Sequence, residues 1–293
     1  AHLLFNLISV VITMLLYRFY LALVPMTANS LPHQIANAHF IIKTVNVLLI
    51  LPFVHPFGRL VIRILPGNDP LSAAPEFLSP QDAEEPEKAL ANVQREISRM
   101  CGTGMSMIHD AVESLLTKDE ITQERILKQE KIIDNLYNMV AAYLLDAFSG
   151  AAPTSLSGRP ALLLNVMNNV ERIGDHAENI VELSQVYGSK CGRFGEDATN
   201  DILAVLRVTE QIGNLAVTLL DKTKHTCTDR LPTLTNDFNN AKREALRRHT
   251  DRLRNGHCTV VAGIVFTILI VNLESVVDHL QTVATTIADT EKE

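Results

Sequence analysis

Apolar and polar residues are distributed in two different ways along this 293-residue chain. From Leu3 to Val24 the sequence is apolar on every side, interrupted by Asn6 and Arg18, and a second such stretch runs from about Ile35 to Leu51, ahead of Pro52. Both are near the length that crosses a bilayer. A helix apolar all round suits lipid, the other reading being a buried core helix. From Ala89 onward the apolar positions fall on a helical period, with Ile97, Met100, Met107, Ile108, Val112 and Leu115 sharing one face. Turn and capping residues gather at Lys118-Asp119, Ser149 to Pro160, Gly188 to Gly195, Cys227 to Pro232 and Asn255-Gly256. They divide this part into six helices of about 87–117, 119–149, 159–186, 197–223, 233–255 and 259–290. No stretch reads as a strand. Gly67 to Glu87, rich in Pro, Ala, Asp and Glu, reads as a linker. The expected architecture is all-α: residues 1–66 as two transmembrane helices with an interfacial segment, a linker over 67–88, and a helical domain over 89–293.

Charge sharpens that division. Residues 1–66 hold Arg18, Lys43, Arg59 and Arg63 and no acid, which leaves 22 of the 26 basic residues and all 33 acidic ones to 67–293. An acidic second part argues against nucleic acid, whose phosphates need a basic face, and suits cations. Arg59 and Arg63 beside Val61 to Leu65 suggest a helix lying on the membrane surface. By the positive-inside rule they place that end, and residues 67–293 after it, in the cytoplasm. Lys43, deep in the second span, either faces a polar cavity or snorkels to the interface. The four cysteines, Cys101, Cys191, Cys227 and Cys258, show no C-x-x-C spacing, so neither a zinc site nor a disulfide framework is expected. The chain opens at Ala1 directly into apolar sequence without the charged flank of a signal peptide, as expected of a piece of a longer protein.

Candidate chemistry lies in Asn169-Val-Glu171-Arg-Ile-Gly-Asp175-His176-Ala-Glu178-Asn179-Ile180. Glu171 and Asp175 are i and i+4 on one helix face, where two like charges cost a few tenths of a kcal/mol unless a basic group, a proton or a cation joins them. The pattern recurs as Asn272-Leu-Glu274-Ser-Val-Val-Asp278-His279, so the chain contains an internal repeat. Glu130-Lys-Ile-Ile-Asp134 supplies the same spacing on the preceding helix, and an antiparallel pair would present four carboxylates to one cation or cluster. The other reading is a set of salt bridges across the bundle. Oxygen ligands of that number suit Fe, Mn, Mg or Ca. Counting the same 41 positions back from Glu274 gives Thr233, with Asp237 four further on, so the second set, Glu274 and Asp278, is expected to bind weakly or not at all. His176 and His279 turn roughly 100° from the preceding aspartates and are expected to pack or hydrogen-bond within the bundle. No Glu-x-x-His pair, phosphate loop or nucleophile triad is present, so no enzymatic activity is expected.

The ten residues Glu171 to Ile180 resemble the signature of PhoU-type domains, over roughly residues 89–293. The resemblance implies two three-helix repeats whose Glu/Asp-x-x-x-Asp motifs bind metal, iron or another transition metal. The implied ligands are Glu130, Asp134, Glu171, Asp175, Glu274 and Asp278. Ala1-His2-Leu-Leu-Phe5-Asn6 and the echo Ala38-His39-Phe-Ile-Ile-Lys43-Thr-Val-Asn46 resemble segments that close the membrane domain of bacterial sodium/phosphate cotransporters of the type II-related family, in which a PhoU-like domain follows on the same chain. That resemblance implies a fragment of a sodium-dependent phosphate transporter in the cell inner membrane, with sodium and phosphate handled by the full-length protein and a cytoplasmic domain regulating uptake. A homo-oligomer or a regulatory protein partner fits such a domain. The family's Gln-Ser-Ser motifs are absent, so the substrate site is expected upstream. The alternative is a membrane-tethered PhoU-like signalling adaptor without transport activity.

Overall fold

The computed structural model describes residues 10, 12–50, 73–149, 156, 158–191, 193–221 and 228–290. Asn6, the interfacial stretch around Arg59 and Arg63, and the first part of the linker lie outside them, as does the side chain of Asn46. All regular elements among the described residues are helices. The chain divides into two compact units, Ala1–Asp69 and Pro70–Glu293.

In the first unit, α1 (Tyr17–Leu23) runs through a 3₁₀ turn, Val24–Thr27, and α2 (Leu31–Ile50) follows. The turn is held by side chains of α2: the Gln34 amide donates to the Ala28 carbonyl at 2.8 Å and the Asn37 amide to that of Thr27 at 3.4 Å. The second apolar helix starts four residues earlier than its hydropathy indicates, because Pro32, with its fixed φ, sits within the first turn, where a missing N–H costs nothing. Met14, Leu15, Tyr17, Met26, Leu31 and Phe40 are all exposed in this unit.

The second unit is a bundle of α3 (Pro86–Thr117), α4 (Glu120–Ala147), α5 (Arg159–Cys191), α6 (Glu196–Leu220), α7 (Leu231–Arg254) and α8 (Val260–Thr290). In each group of three, every helix touches the other two, and the groups join through α5 against α8 and α3 against α6. The amphipathic period explains the burial: Val93, Ile97, Met100 and Ile108 of α3 pack with Val166, Val170, Ile173 and Ala177 of α5, and Phe266, Leu269, Leu273 and Val276 of α8 continue the same core. The α3–α4 corner is sharp because Lys118 adopts φ 64° and returns its N–H to the Ser114 carbonyl. Asp119 then caps α4 by accepting from the N–H groups of Ile121 and Thr122.

Residues 73–81 form no helix, but they are docked on α3. The buried Glu96 carboxylate accepts from the N–H groups of Glu76 and Phe77 at 3.0 and 3.1 Å and pairs with Arg99, while Arg95 lies 4.1 Å over the Phe77 ring. Cys101 and Cys258 are free thiols, and burial pushes Cys101 up to about 12.

Among the described residues the two helices long and apolar enough to cross a membrane are Glu196–Leu220 and Val260–Ala288, and half of each apolar window is buried inside the protein. These are the bundle's own α6 and α8. The α2 helix falls short of that composition, since His33, Gln34, Asn37, His39, Lys43 and Asn46 dilute its apolar character.

Candidate metal centre

The middle turns of α4 and α5 meet where Gly174 of α5 faces Ile133 of α4. A Cβ there would lie 3.5 Å from Cδ1 of Ile133, a residue 1% exposed. Gly174 and Ile133 each precede an aspartate, so the turn at which the helices meet also brings Asp175 and Asp134 together. Carboxylate oxygens of Glu130, Asp134 and Asp175 all fall within 4.8 Å of one another.

Glu130 is only 7% exposed. Its carboxyl is pushed up to about 7, first by burial, then by a hydrogen bond shared with Asp134 and by the charges of Asp134, Glu178 and Asp175. Glu171 is raised by burial and then by the charge of Asp175, with Arg172 opposing and Asp134 adding a smaller push. Glu178 is raised by burial and then by Glu182, Asp175 and Asp134. Glu171 thus shares the electrostatic field of the site without entering the tight group of three.

Arg172 is the basic side chain ion-paired with this cluster among the described residues, at 3.2 Å from Asp175 and 3.9 Å from Glu171, and it is 56% exposed. An exposed pair of this kind contributes at most about 1 kcal/mol. Among the described residues salt bridging therefore leaves Glu130 and Asp134 without an ion-paired countercharge. A proton shared between them, or a cation, supplies what the protein does not. Three carboxylates within a few ångströms offer only oxygen donors and leave further positions to water, a set that fits a hard divalent ion or iron.

The second repeat is built differently. The Lys242 ammonium of α7 donates to Glu274 of α8 at 2.5 Å and lies 6.0 Å from the Phe238 ring centroid. Asp278 is exposed, and the structure brings neither acid into a group of three ligands among the described residues. A lysine holds the position a cation would take.

The histidines meet across the seam between α5 and α8. His176 Nδ1 is 2.9 Å from Asn272 Oδ1, and His279 Nδ1 is 2.9 Å from Asn169 Oδ1, so each repeat's asparagine bonds the other repeat's histidine. The two rings lie 5.5 Å apart between centroids with planes 35° to one another. Burial, then the neighbouring His176, holds His279 below the usual histidine range.

Sequence reasoning missed Glu178 as a member of the cluster, although its spacing three residues after Asp175 places it on the same face. It also missed Lys242, for which the register counted back from Glu274 gave no signal.

Residues 97–184 match the PhoU domain, a span that starts within α3, ends within α5 and contains Glu130, Asp134, Glu171 and Asp175. The second unit is therefore a helical bundle in which one three-helix group is similar to the PhoU domain. The chain is 23% identical over 201 residues to the phosphate-specific transport system accessory protein PhoU homolog 1 of Thermotoga maritima, covering 66% of this chain and 83% of that relative. No solved structure matches significantly.

Proposed function

We propose that this chain is part of a sodium-dependent phosphate transporter, in which the helical bundle binds a metal ion and regulates phosphate uptake from the cytoplasmic side of the inner membrane. The single observation that carries the metal is the convergence of Glu130, Asp134 and Asp175 with one exposed arginine to offset them. Regulation of phosphate transport is supported by the PhoU domain and by the relative's role as an accessory protein of a phosphate transport system. The membrane-bound part is supported by the large apolar side chains exposed on both helices of the first unit and by the Ala-His-x-x-Phe-Asn segment at its start. Glu171 and Glu178 assist by deepening the negative potential, and iron or another transition metal is the ion the resemblance favours. The domain acts by binding and not by catalysis, and sodium and phosphate are substrates of the complete transporter.

The test is elemental analysis of the purified chain after exposure to Fe, Mn and Mg salts, beside a Glu130→Gln/Asp134→Asn variant of matched helicity. One equivalent of metal lost in the variant supports the centre. Equal metal in both proteins, or none in the parent, overturns it. Uptake of labelled phosphate into vesicles carrying this chain alone should stay at the level of empty vesicles, since the substrate site belongs upstream.

A further inference from the structure

The His176–His279 pair has a property that its hydrogen bonds alone do not require. Each asparagine amide nitrogen donates to the carbonyl one turn back on its own helix: Asn272 to Ile268 at 2.9 Å, and Asn169 to Asn165 at 2.9 Å. A carbonyl oxygen can only accept, so the amide orientation is fixed and each Oδ1 faces the opposite histidine as an acceptor. Each Nδ1 must then carry the proton. In the neutral rings both Nε2 atoms keep their lone pairs, and among the described residues the side-chain hydrogen bonds of both rings are those at Nδ1.

A histidine whose Nδ1–H is held by a carbonyl oxygen, with Nε2 open, has the outer-shell arrangement that orients imidazole ligands on metal ions. The spacing of the rings agrees. With a metal–nitrogen bond of about 2.1 Å and roughly 1.1 Å more to the ring centre, two imidazoles on a tetrahedral ion place their centroids about 5 Å apart. The observed 5.5 Å is close to that. Asp175 and Asp278, adjacent in sequence to the two rings, favour a cation at the seam, against the opposing charge of Arg172.

We propose that His176 and His279 bind, through their Nε2 atoms, a nitrogen-preferring divalent transition ion such as Zn²⁺, with water completing the shell. This position is separate from the carboxylate centre in ligands and in preferred metal, because imidazole selects Zn, Cu and Ni where carboxylates select harder ions. It lies between the repeats, so its occupant would clasp α5 to α8.

The test is Zn²⁺ binding by the 293-residue chain in competition with a chromogenic chelator, together with electron paramagnetic resonance of the Cu²⁺-loaded protein. His176→Gln and His279→Gln should each weaken one zinc site tenfold or more and remove nitrogen hyperfine structure from the copper spectrum. Glu130→Gln/Asp134→Asn should leave both readouts unchanged, which separates this site from the carboxylate centre. Asn169→Ala and Asn272→Ala, which keep both rings, should weaken zinc by about 10- to 100-fold through loss of the outer-shell acceptor. Zinc affinity unchanged in helical, folded histidine variants overturns the proposal. Should those variants fail to fold, unchanged zinc affinity in the asparagine variants overturns it equally.

Discussion

Glu130 is the residue on which pH should act. Its carboxyl titrates near 7 in the folded protein against 4.5 ordinarily, so the folded state holds the proton more tightly than the unfolded chain does. The stability this contributes is fully present below pH 4.5 and is lost as pH rises through 7. His249 and His279, both held below 6.5, act in the opposite sense at the acid end of that window, since only the unfolded chain protonates them readily. Comparison with Glu130→Gln isolates the carboxyl. The metal-free variant should match the wild type in melting temperature at pH 4, exceed it increasingly from pH 5 to pH 7, and hold a constant lead above that. A constant difference between pH 5 and pH 7 would count against shared-charge strain at the site. Added Mn²⁺ or Fe²⁺ should raise the wild type alone at pH 8, because the metal replaces the proton.

At the scale of helices, Gly104 governs how closely α3 approaches α5. A Cβ on Gly104 of α3 would stand 3.3 Å from Ile173 Cγ2, next to the contact of Gly174 with Ile133. Gly104→Ala is expected to be near neutral, the gain in helix propensity of about 1 kcal/mol offsetting the tight contact. Gly104→Leu should displace α5, lower stability by about 1–3 kcal/mol in urea unfolding and weaken metal binding at Asp175, two residues beyond Ile173. Retained metal affinity in a destabilised Gly104→Leu protein would show that the centre does not depend on this crossing.

The helices themselves were legible because their stops are local: Pro86 in the first turn of α3, the αL turn at Lys118 followed by the Asp119 cap, Pro232 at the start of α7. The reading ended α5 at 186, before Gly188, yet the helix continues to Cys191, since one glycine costs a helix only about 1 kcal/mol. Half of the candidate site was equally legible, because Glu130, Asp134 and Asp175 advertise themselves by i, i+4 spacing. Lys242 against Glu274, and each histidine against the other repeat's asparagine, were not legible. Those partners lie 32, 96 and 110 residues apart, and only the packed bundle joins them.

For the whole molecule, the seam between α5 and α8 matters most. Asn169 and His176 belong to one repeat, Asn272 and His279 to the other, and the bonds exchange between them in opposite directions along antiparallel helices. Such an arrangement is isologous: each side offers the same donor and the same acceptor, seven residues apart, to its counterpart. A repeat with this face is complementary to a copy of itself, with Asn169 of one copy able to receive His176 of the other, twice over. Residues 73–191 produced alone should therefore sediment as a two-fold symmetric dimer, and Asn169→Leu should return them to monomers. In its geometry the single chain holds its two repeats as a tethered two-fold pair. Because the two halves share one chain they need not be alike, and one carries a cluster of acids where the other sets Lys242 against Glu274.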